Sequence, residues 1–292
     1  FGPGVSYASK AFLCGAMARL VVEEGMHIDV STGGELYMAR HAGVPGEKLV
    51  MHGNNKSELE LRMAIDEGVR RIVVDSFDEL DRLEALHAET GVTPKILLRI
   101  TPGVEAHTHE FISTGQDDSK FGFTVSTGLA AIAVERAVVS SAVELMGVHC
   151  HIGSQVFEVG SFARTVEIMA QFSVPLGLPD LSIGGGLGVA YLEEDQASTI
   201  TQWGEVVQAG CAAAGVTAQV TAEPGRAIAA AAAITLYRVG TIKELPGLRT
   251  YVAVDGGMSD NPRPVLYGSG YETFLPRVVG QARSPSARVV GK

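Results

Sequence analysis

Residues 71–89, RIVVDSFDELDRLEALHAE, join a short run of β-branched residues to a charged stretch with helical periodicity. The run at residues 71–75 is typical of a buried strand. Ser76 followed by Glu79 predicts a capping box that begins a helix over residues 76–89. A strand that leads directly into a helix is the repeating unit of folds with a parallel sheet.

The same unit recurs along the chain as far as Gly225. Ser57 with Glu60 predicts a second capping box, and the spacing of Leu59, Met63 and Ile65 indicates an amphipathic helix. Eight such units predict a (β/α)₈ barrel, with a doubly wound parallel sheet as the alternative. The β-type runs lie at residues 5–8, 27–30, 49–52, 71–75, 96–100, 145–149, 181–183 and 218–221.

The pattern changes after the eighth run. Runs at residues 235–240 and 250–254 follow each other without a helix-length spacer, and residues 288–290 form another short β-type run. We therefore expect a barrel over residues 1–232 and part of a mainly β second domain, truncated here, over residues 233–292. Because the chain begins at Phe1 without a methionine, we expect a fragment of a longer protein.

Composition excludes several classes of protein. The 292 residues are 46% hydrophobic, which is enough for a substantial core, and the net charge of −10 argues against a general nucleic-acid binder. No apolar run approaches the roughly 20 residues of a membrane span, and no signal peptide is visible. Cys14, Cys150 and Cys211 lack the spacing of a disulfide framework or a cysteine zinc site, so we expect a reducing cytoplasm.

The reactive groups of such a barrel lie just past the carboxyl ends of its strands. Lys10 follows the first strand among small and apolar neighbours, where desolvation would lower its pKa and free the amine for a Schiff base. A lysine that simply reaches water is the alternative. Glycines 184–186 follow the seventh strand, where their N–H groups could approach a phosphate or form only a tight turn.

Charged residues follow the eighth strand and recur near the end of the chain. Glu223 and Arg226 either bind a charged ligand or pair with each other. Arg263 and Tyr267 share a face if their segment is helical, and arginine is the usual partner of a substrate carboxylate. A polar turn at a domain junction is the alternative for that segment.

Two His-x-His pairs, His107 with His109 and His149 with His151, have a spacing that could supply metal ligands. No further cluster of histidines or carboxylates completes a ligand set in the sequence. A stacking or hydrogen-bonding role is therefore the alternative for these histidines.

Segments spread over nearly the whole chain match the motifs of one enzyme family in the family's own order. They read YASKA at 7–11, DVSTGGE at 29–35, GNNKS at 53–57, GVEAHTH at 103–109, SKFG at 119–122, HCHIGSQ at 149–155, GGG at 184–186, EPGR at 223–226 and DGGMSDNPRPVLY at 255–267. Together they resemble the fold-type III, alanine-racemase-like pyridoxal-phosphate enzymes, and most closely the diaminopimelate decarboxylase family.

The resemblance implies pyridoxal 5′-phosphate as the cofactor and no metal. Lys10 would hold the cofactor as a Schiff base, and His151 would stack on its ring. Glu223 would face the pyridine nitrogen and keep it protonated, which stabilises the carbanion left when carbon dioxide departs. The other cofactor-binding positions that the resemblance implies are Asp29, Ser154, Gly185, Gly186, Gly225 and Arg226.

The resemblance also implies a reaction, the decarboxylation of meso-2,6-diaminopimelate to L-lysine in lysine biosynthesis. The enzyme would be a homodimer with active sites at the interface. Arg226, Arg263 and Tyr267 would bind the distal carboxylate of the substrate. Arg263 would set specificity, because relatives that act on ornithine or arginine bind a cationic distal end.

Two departures from the family pattern affect this expectation. The family's Cys-Glu segment, with its proton-donating cysteine, would follow Lys292, so we expect residues 1–292 alone to bind cofactor poorly and turn over slowly. Residues 229–233 are all alanine where the family has glycine and proline. Three alternatives stay open: a decarboxylase of the ornithine or arginine type, a metal-dependent barrel hydrolase that uses the His-x-His pairs, and a non-catalytic pyridoxal-phosphate-binding barrel.

Overall fold

Eight parallel strands close into a barrel in the first of two units into which the chain divides. The computed structural model describes residues 4–104, 115–281 and 287–291. The first unit comprises Phe1–Val189 and Ala197–Ala231, and the second comprises Ala190–Gln196 and Ala232–Lys292. Within the described ranges, no helix has the length and apolar composition that a membrane span requires.

The barrel strands pair in the order in which they occur along the chain. They are β1 Ser6–Ala8, β2 His27–Val30, β3 Leu49–Met51, β4 Arg71–Val74, β5 Lys95–Thr101, β7 Glu144–His149, β8 Asp180–Ser182 and β9 Gln219–Thr221, and β6 Phe123–Thr124 pairs only with β5. A parallel bridge between Val5 and Ala222 joins the last strand to the first. Because the order has no reversal and the ends meet, the predicted barrel is confirmed and the doubly wound sheet is excluded.

Helices follow the strands and cover the outside of the barrel. They are α1 Gly15–Glu23, α2 Gly33–His41, α3 Glu58–Asp66, α4 Phe77–Thr90, α5 Leu129–Val139, α6 Val159–Ser173, α7 Ile200–Ala213 and the short α8 Arg226–Ala229. In the unit that opened the sequence analysis, β4 is wholly buried, and α4 buries Leu80, Leu83 and Leu86 against it at helical spacing. This packing is what the apolar pattern predicts.

Two details of the predicted helices differ from the structure. Ser57 and Glu60 form the complete capping box at α3, but Leu59 is 68% exposed, and Leu61 is the buried leucine of this helix. Ser76 caps α4 by accepting a hydrogen bond from the Glu79 N–H, whereas the Glu79 carboxylate does not return to Ser76. The second capping box is therefore only half formed, because a buried lysine binds that carboxylate.

Lys56 and Glu79 form an ion pair inside the protein, with 2% and 3% of their surfaces exposed. Lys56 Nζ donates to Glu79 Oε1 at 2.6 Å and to the carbonyl oxygens of Gly53 at 2.7 Å and Val73 at 2.6 Å. All three ammonium protons thus have acceptors. Glu79 Oε2 accepts from the Asp75 N–H at 3.1 Å, so the pair fixes the loop after β3 to the end of β4.

Replacing Lys56 with methionine should lower the free energy of unfolding by about 3–5 kcal/mol, because it leaves a buried carboxylate without its counter-charge. The double variant Lys56→Met/Glu79→Met should recover much of this loss. Urea unfolding of both variants measures it. Arg164→Met breaks an exposed pair with Glu167 and serves as the control. A loss in Lys56→Met no greater than in the control would contradict the expected role.

The second unit contains a three-stranded sheet and a short helix. β10 Val239–Leu245 and β11 Arg249–Val254 are antiparallel, β12 Ala287–Val290 lies parallel to β11, and α9 spans Arg263–Tyr267. The predicted runs at 250–254 and 288–290 are strands. The run predicted at 235–240 is wrong for most of its length: β10 starts at Val239, and its pairing with β11 extends it to Leu245.

Candidate active site

Lys10 lies in a tight turn at the carboxyl end of β1. The turn Ser9–Ala11 is one 3-10 turn, closed by a hydrogen bond from the Phe12 N–H to the Ser9 carbonyl at 3.0 Å. The Tyr7 hydroxyl donates to the Phe12 carbonyl at 2.8 Å and fixes the turn to the buried strand. Part of the Lys10 side chain is exposed at the barrel mouth, but the protein atoms around the mouth remove much of the water near its amine.

The surroundings of Lys10 favour its neutral amine. Desolvation by the surrounding protein lowers the pKa of Lys10, and the positive charge of Arg99 lowers it further. The negative charges of Glu223, Asp29 and Glu35 act in the opposite direction but do not restore the ordinary value. An amine with a lowered pKa is the form that attacks a carbonyl carbon.

Glu223 follows β9 and is 8% exposed. Its Oε2 accepts a hydrogen bond from His149 Nε2 at 2.9 Å, and its Oε1 accepts from the Ser182 hydroxyl at 2.6 Å. Burial would raise the pKa of Glu223, but the neighbouring histidines and Ser182 outweigh burial and lower it. Glu223 is therefore a buried carboxylate that stays ionised.

His52 and Asp29 lie beside this carboxylate. His52 Nε2 is 3.4 Å from Asp29 Oδ1 and 3.9 Å from Glu223 Oε1. Burial and the charge of Glu223 raise the pKa of Asp29 to about 6. For His52, burial opposes protonation, but the two carboxylates outweigh it and raise its pKa. The site thus holds two carboxylates with an imidazole between them.

His151 lies against the triple glycine. Its Nδ1 accepts a hydrogen bond from the Gly185 N–H at 3.2 Å, which uses one of the amides that the sequence suggested for phosphate. Burial lowers the pKa of His151 well below its usual value, with a further contribution from the charge of Lys10. A Cβ at Gly185 would lie 2.0 Å from the Glu223 carbonyl, so glycine is needed where these strand ends converge.

Ser154 lies in a loop that is tied to the same glycines. Val156 N–H donates to the Gly186 carbonyl at 3.0 Å, and a Cβ at Gly186 would lie 2.1 Å from the Gly153 carbonyl. Gln155, next to Ser154, has a φ of 61°, which is unusual for a residue with a side chain. The Gln155 side chain donates through Nε2 to the Val189 carbonyl and accepts through Oε1 from the Val189 N–H. These two hydrogen bonds stabilise the unusual backbone conformation.

Gly225 and Arg226 lie beside the lysine turn. Gly225 is buried, and a Cβ there would lie 2.9 Å from the Cβ of Ala8, at the end of β1. Arg226 begins α8 and is half-buried. The barrel mouth therefore collects Lys10, Asp29, His151, Ser154, Gly185, Gly186, Glu223, Gly225 and Arg226, although the parts they play stay predictions.

Arg99, which sequence reasoning missed, faces the same mouth from β5. It is 7% exposed, its guanidinium carbon lies 4.1 Å from the Phe121 ring centroid, and its Nη1 is 3.8 Å from Asp75 Oδ2. Asp75 Oδ1 accepts from the Gly122 N–H at 2.6 Å, so Asp75 also holds the SKFG segment at residues 119–122 in place. The sequence did contain a signal for Arg99, because it is a charged residue among the apolar residues of β5.

The structure does not bring His149 and His151 together as a pair of metal ligands. His149 joins His52 and Glu223, and one donor atom from each lies within 4.8 Å of the others. His151 belongs instead to the glycine segment. His107 and His109 lie outside the described residues. The donors that could hold a metal therefore come from three strand ends and not from a His-x-His pair.

Arg263 and Tyr267 belong to the second unit. They lie at the two ends of α9, as predicted for a helical segment, and the Arg263 guanidinium carbon is 5.2 Å from the Tyr267 ring centroid. Arg263 Nη2 donates to Ser269 Oγ at 3.4 Å, whereas its buried Nε has no hydrogen-bond partner among the described residues. Arg263 Nε is thus a buried donor that the described residues leave unused.

Comparison with known proteins agrees with this arrangement. Residues 3–230 match the pyridoxal binding domain of the pyridoxal-dependent decarboxylases. The chain is 46% identical to diaminopimelate decarboxylase of Bacillus subtilis, covering 99% of this chain and 68% of the relative. It is 45% identical to the Mycobacterium tuberculosis enzyme of that name, covering 100% of this chain and 69% of the relative.

A solved structure of a diaminopimelate decarboxylase is also similar to this chain. The structure of M. jannaschii diaminopimelate decarboxylase in complex with L-lysine is similar with a TM-score of 0.84 at 35% identity, covering 92% of this chain and 63% of the other. The chain thus spans about two thirds of the length of these relatives. On its fold, the residues at its barrel mouth and these similarities, the chain belongs to the diaminopimelate decarboxylase family of pyridoxal-dependent decarboxylases.

Proposed function

We propose that the protein decarboxylates meso-2,6-diaminopimelate to L-lysine and carbon dioxide with pyridoxal 5′-phosphate. The observation that carries this proposal is the pairing at one barrel mouth of a lysine with a lowered pKa, Lys10, and a buried ionised carboxylate, Glu223. A neutral amine can attack the aldehyde carbon of the cofactor, and an ionised carboxylate can stabilise a protonated ring nitrogen.

The barrel mouth fits this cofactor. Ser9 Oγ and His149 Nδ1 are buried there without a hydrogen-bond partner among the described residues. Such atoms are costly unless a ligand or water satisfies them. Lys10 would hold the aldehyde carbon, Glu223 the ring nitrogen, and His151 one face of the ring. The loop with Ser154, Gly186 and the start of α8 would hold the phosphate.

When bound, pyridoxal phosphate supplies an electron-accepting ring that stabilises the charge left by departing carbon dioxide. Glu223 would face the ring nitrogen and favour its protonated form, which makes the ring a stronger acceptor. Lys10 would hold the cofactor before substrate binds and would be a free amine at the site afterwards. His151, with its lowered pKa, is a neutral ring suited to stacking.

Product analysis of the intact, cofactor-loaded protein tests the proposed reaction. We expect meso-diaminopimelate to yield L-lysine and carbon dioxide in equal amounts. Turnover of ornithine or arginine in preference to diaminopimelate would assign the protein to the alternative decarboxylases. Cofactor binding without release of carbon dioxide from any of these substrates would favour the non-catalytic barrel.

Arg263→Ala should lower kcat/KM for diaminopimelate by about 10- to 100-fold, because a charge-assisted hydrogen bond to the distal carboxylate is lost. The effect should fall mainly on KM, since this carboxylate does not react. Steady-state kinetics on the intact protein measure it. Arg277→Ala, an exposed arginine of the same unit, is the control. Unchanged kinetics in Arg263→Ala would remove Arg263 from substrate recognition.

The protein is further proposed to act as a homodimer in the cytoplasm. The resemblance implies an active site at a subunit interface, and sedimentation analysis of the intact protein tests the dimer. The three cysteines are free, which agrees with a reducing compartment.

A metal-dependent hydrolase is the second candidate, favoured only by the cluster of His52, His149 and Glu223. Two imidazoles and a carboxylate form a common catalytic zinc set. Metal analysis of the purified protein separates the two candidates. Stoichiometric zinc without a visible cofactor band would support the hydrolase.

A further inference from the structure

Two side chains that the proposed reaction does not otherwise use converge on Glu223. His149 on β7 and Ser182 on β8 are each 1% exposed. His149 Nε2 lies 2.9 Å from Glu223 Oε2, and the Ser182 hydroxyl lies 2.6 Å from Glu223 Oε1. Each oxygen of the carboxylate thus has its own partner, and the two partners come from different strands.

The hydrogen-bond directions follow from the chemistry of the partners. His149 Nε2 lies within hydrogen-bond distance of the carboxylate, and one of the two groups has to supply the proton between them. Glu223 can only accept, and therefore the proton lies on Nε2. The Ser182 hydroxyl accepts from the Gly184 N–H at 3.2 Å, which leaves its own proton for Glu223. Both partners are donors, and both stabilise the ionised carboxylate.

A proton shared between a ring nitrogen and a carboxylate stays on the nitrogen only while the carboxylate is the weaker base. Burial makes a carboxylate more basic, and hydrogen bonds to its charged form make it less basic. We propose that His149 and Ser182 are positioning residues that hold Glu223 in its weakly basic form, so that the shared proton remains on the cofactor ring. This inference rests on the proposed function.

Other charges also face Glu223 and have to stay constant in a test. Lys10, His52, Arg99 and His151 are the basic groups, and Asp29 and Cys150 are the acidic ones. None of them needs to be changed. His149 and Ser182 can be replaced one at a time, because each contacts a different oxygen of the carboxylate.

The test measures where the proton is, not how fast the enzyme works. The intact holoenzyme is prepared with pyridoxal phosphate labelled with ¹⁵N in the ring, and the ¹⁵N chemical shift is followed from neutral to mildly alkaline pH. In the wild-type protein we expect the protonated ring throughout. In Ser182→Ala and in His149→Phe the ¹⁵N shift should move towards that of the neutral ring already at neutral pH, because the proton passes to the more basic Glu223.

Conservative variants separate this role from simple packing. Ser182→Thr keeps the hydroxyl and should keep the wild-type titration, whereas Ser182→Ala is smaller yet should shift it. Variants that bind the cofactor with an unchanged ¹⁵N titration would overturn the inference and leave the proposed function standing. If His149→Phe fails to fold, the two Ser182 variants still decide the question. A wild-type protein that binds no pyridoxal phosphate would refute the proposed function itself.

Discussion

Lys10→Ala should lose decarboxylation by at least about 10³-fold, because removal of a catalytic nucleophile leaves only the binding contributions of the site. The variant should also lose the visible absorbance of a covalently held cofactor. Desolvation at the barrel mouth lowers the pKa of Lys10, which favours the reactive neutral amine. Carbon dioxide release and absorbance spectra of the intact protein measure the two effects.

The control for this variant is Lys95→Ala. Lys95 is the first residue of β5, exposed at the opposite end of the barrel. It should keep both the activity and the spectrum of the wild type. Activity in Lys10→Ala comparable to that of Lys95→Ala would remove Lys10 from the reaction.

Glu223→Gln should lower turnover by about 10²- to 10³-fold, the usual loss when one preorganised electrostatic partner of a reacting group is removed. Glutamine keeps the size of the side chain but cannot carry the charge that holds a proton on the ring nitrogen. Cofactor affinity should change less than turnover. Steady-state kinetics and a cofactor titration give the two quantities.

Glu144→Gln is the matched control, because Glu144 is an exposed acid at the start of β7, at the opposite end of the barrel from Glu223. It should behave as the wild type does. A Glu223→Gln protein with normal turnover and normal cofactor affinity would show that the buried carboxylate has no part in the chemistry.

The barrel was accessible from the sequence because its strands are buried on both faces. Such strands read as short apolar runs, and β4 with Ile72, Val73 and Val74 is an example. The ends of these runs then made Lys10, His151 and Glu223 candidates for the barrel mouth, where the structure has them, and the family resemblance gave them their predicted roles. The exposed strand β10 lacks such a run, and there the predicted boundary was wrong.

The interior of the site was harder to predict. Asp29, His52, His149 and Glu223 come from the ends of four different strands, and nothing in their spacing shows that their side chains meet. Only the closure of the barrel brings them together. Capping patterns are also ambiguous, since Glu79 fits a capping box in the sequence but binds Lys56 in the structure.

The central claim is that the Lys10 amine binds the aldehyde of pyridoxal phosphate. Borohydride reduction of the intact, cofactor-loaded protein, followed by peptide mass spectrometry, tests it most directly. We predict one reduced pyridoxyl-phosphate adduct per chain, located on Lys10. An adduct on a different lysine, or no adduct in a protein that carries tightly bound zinc, would contradict the claim.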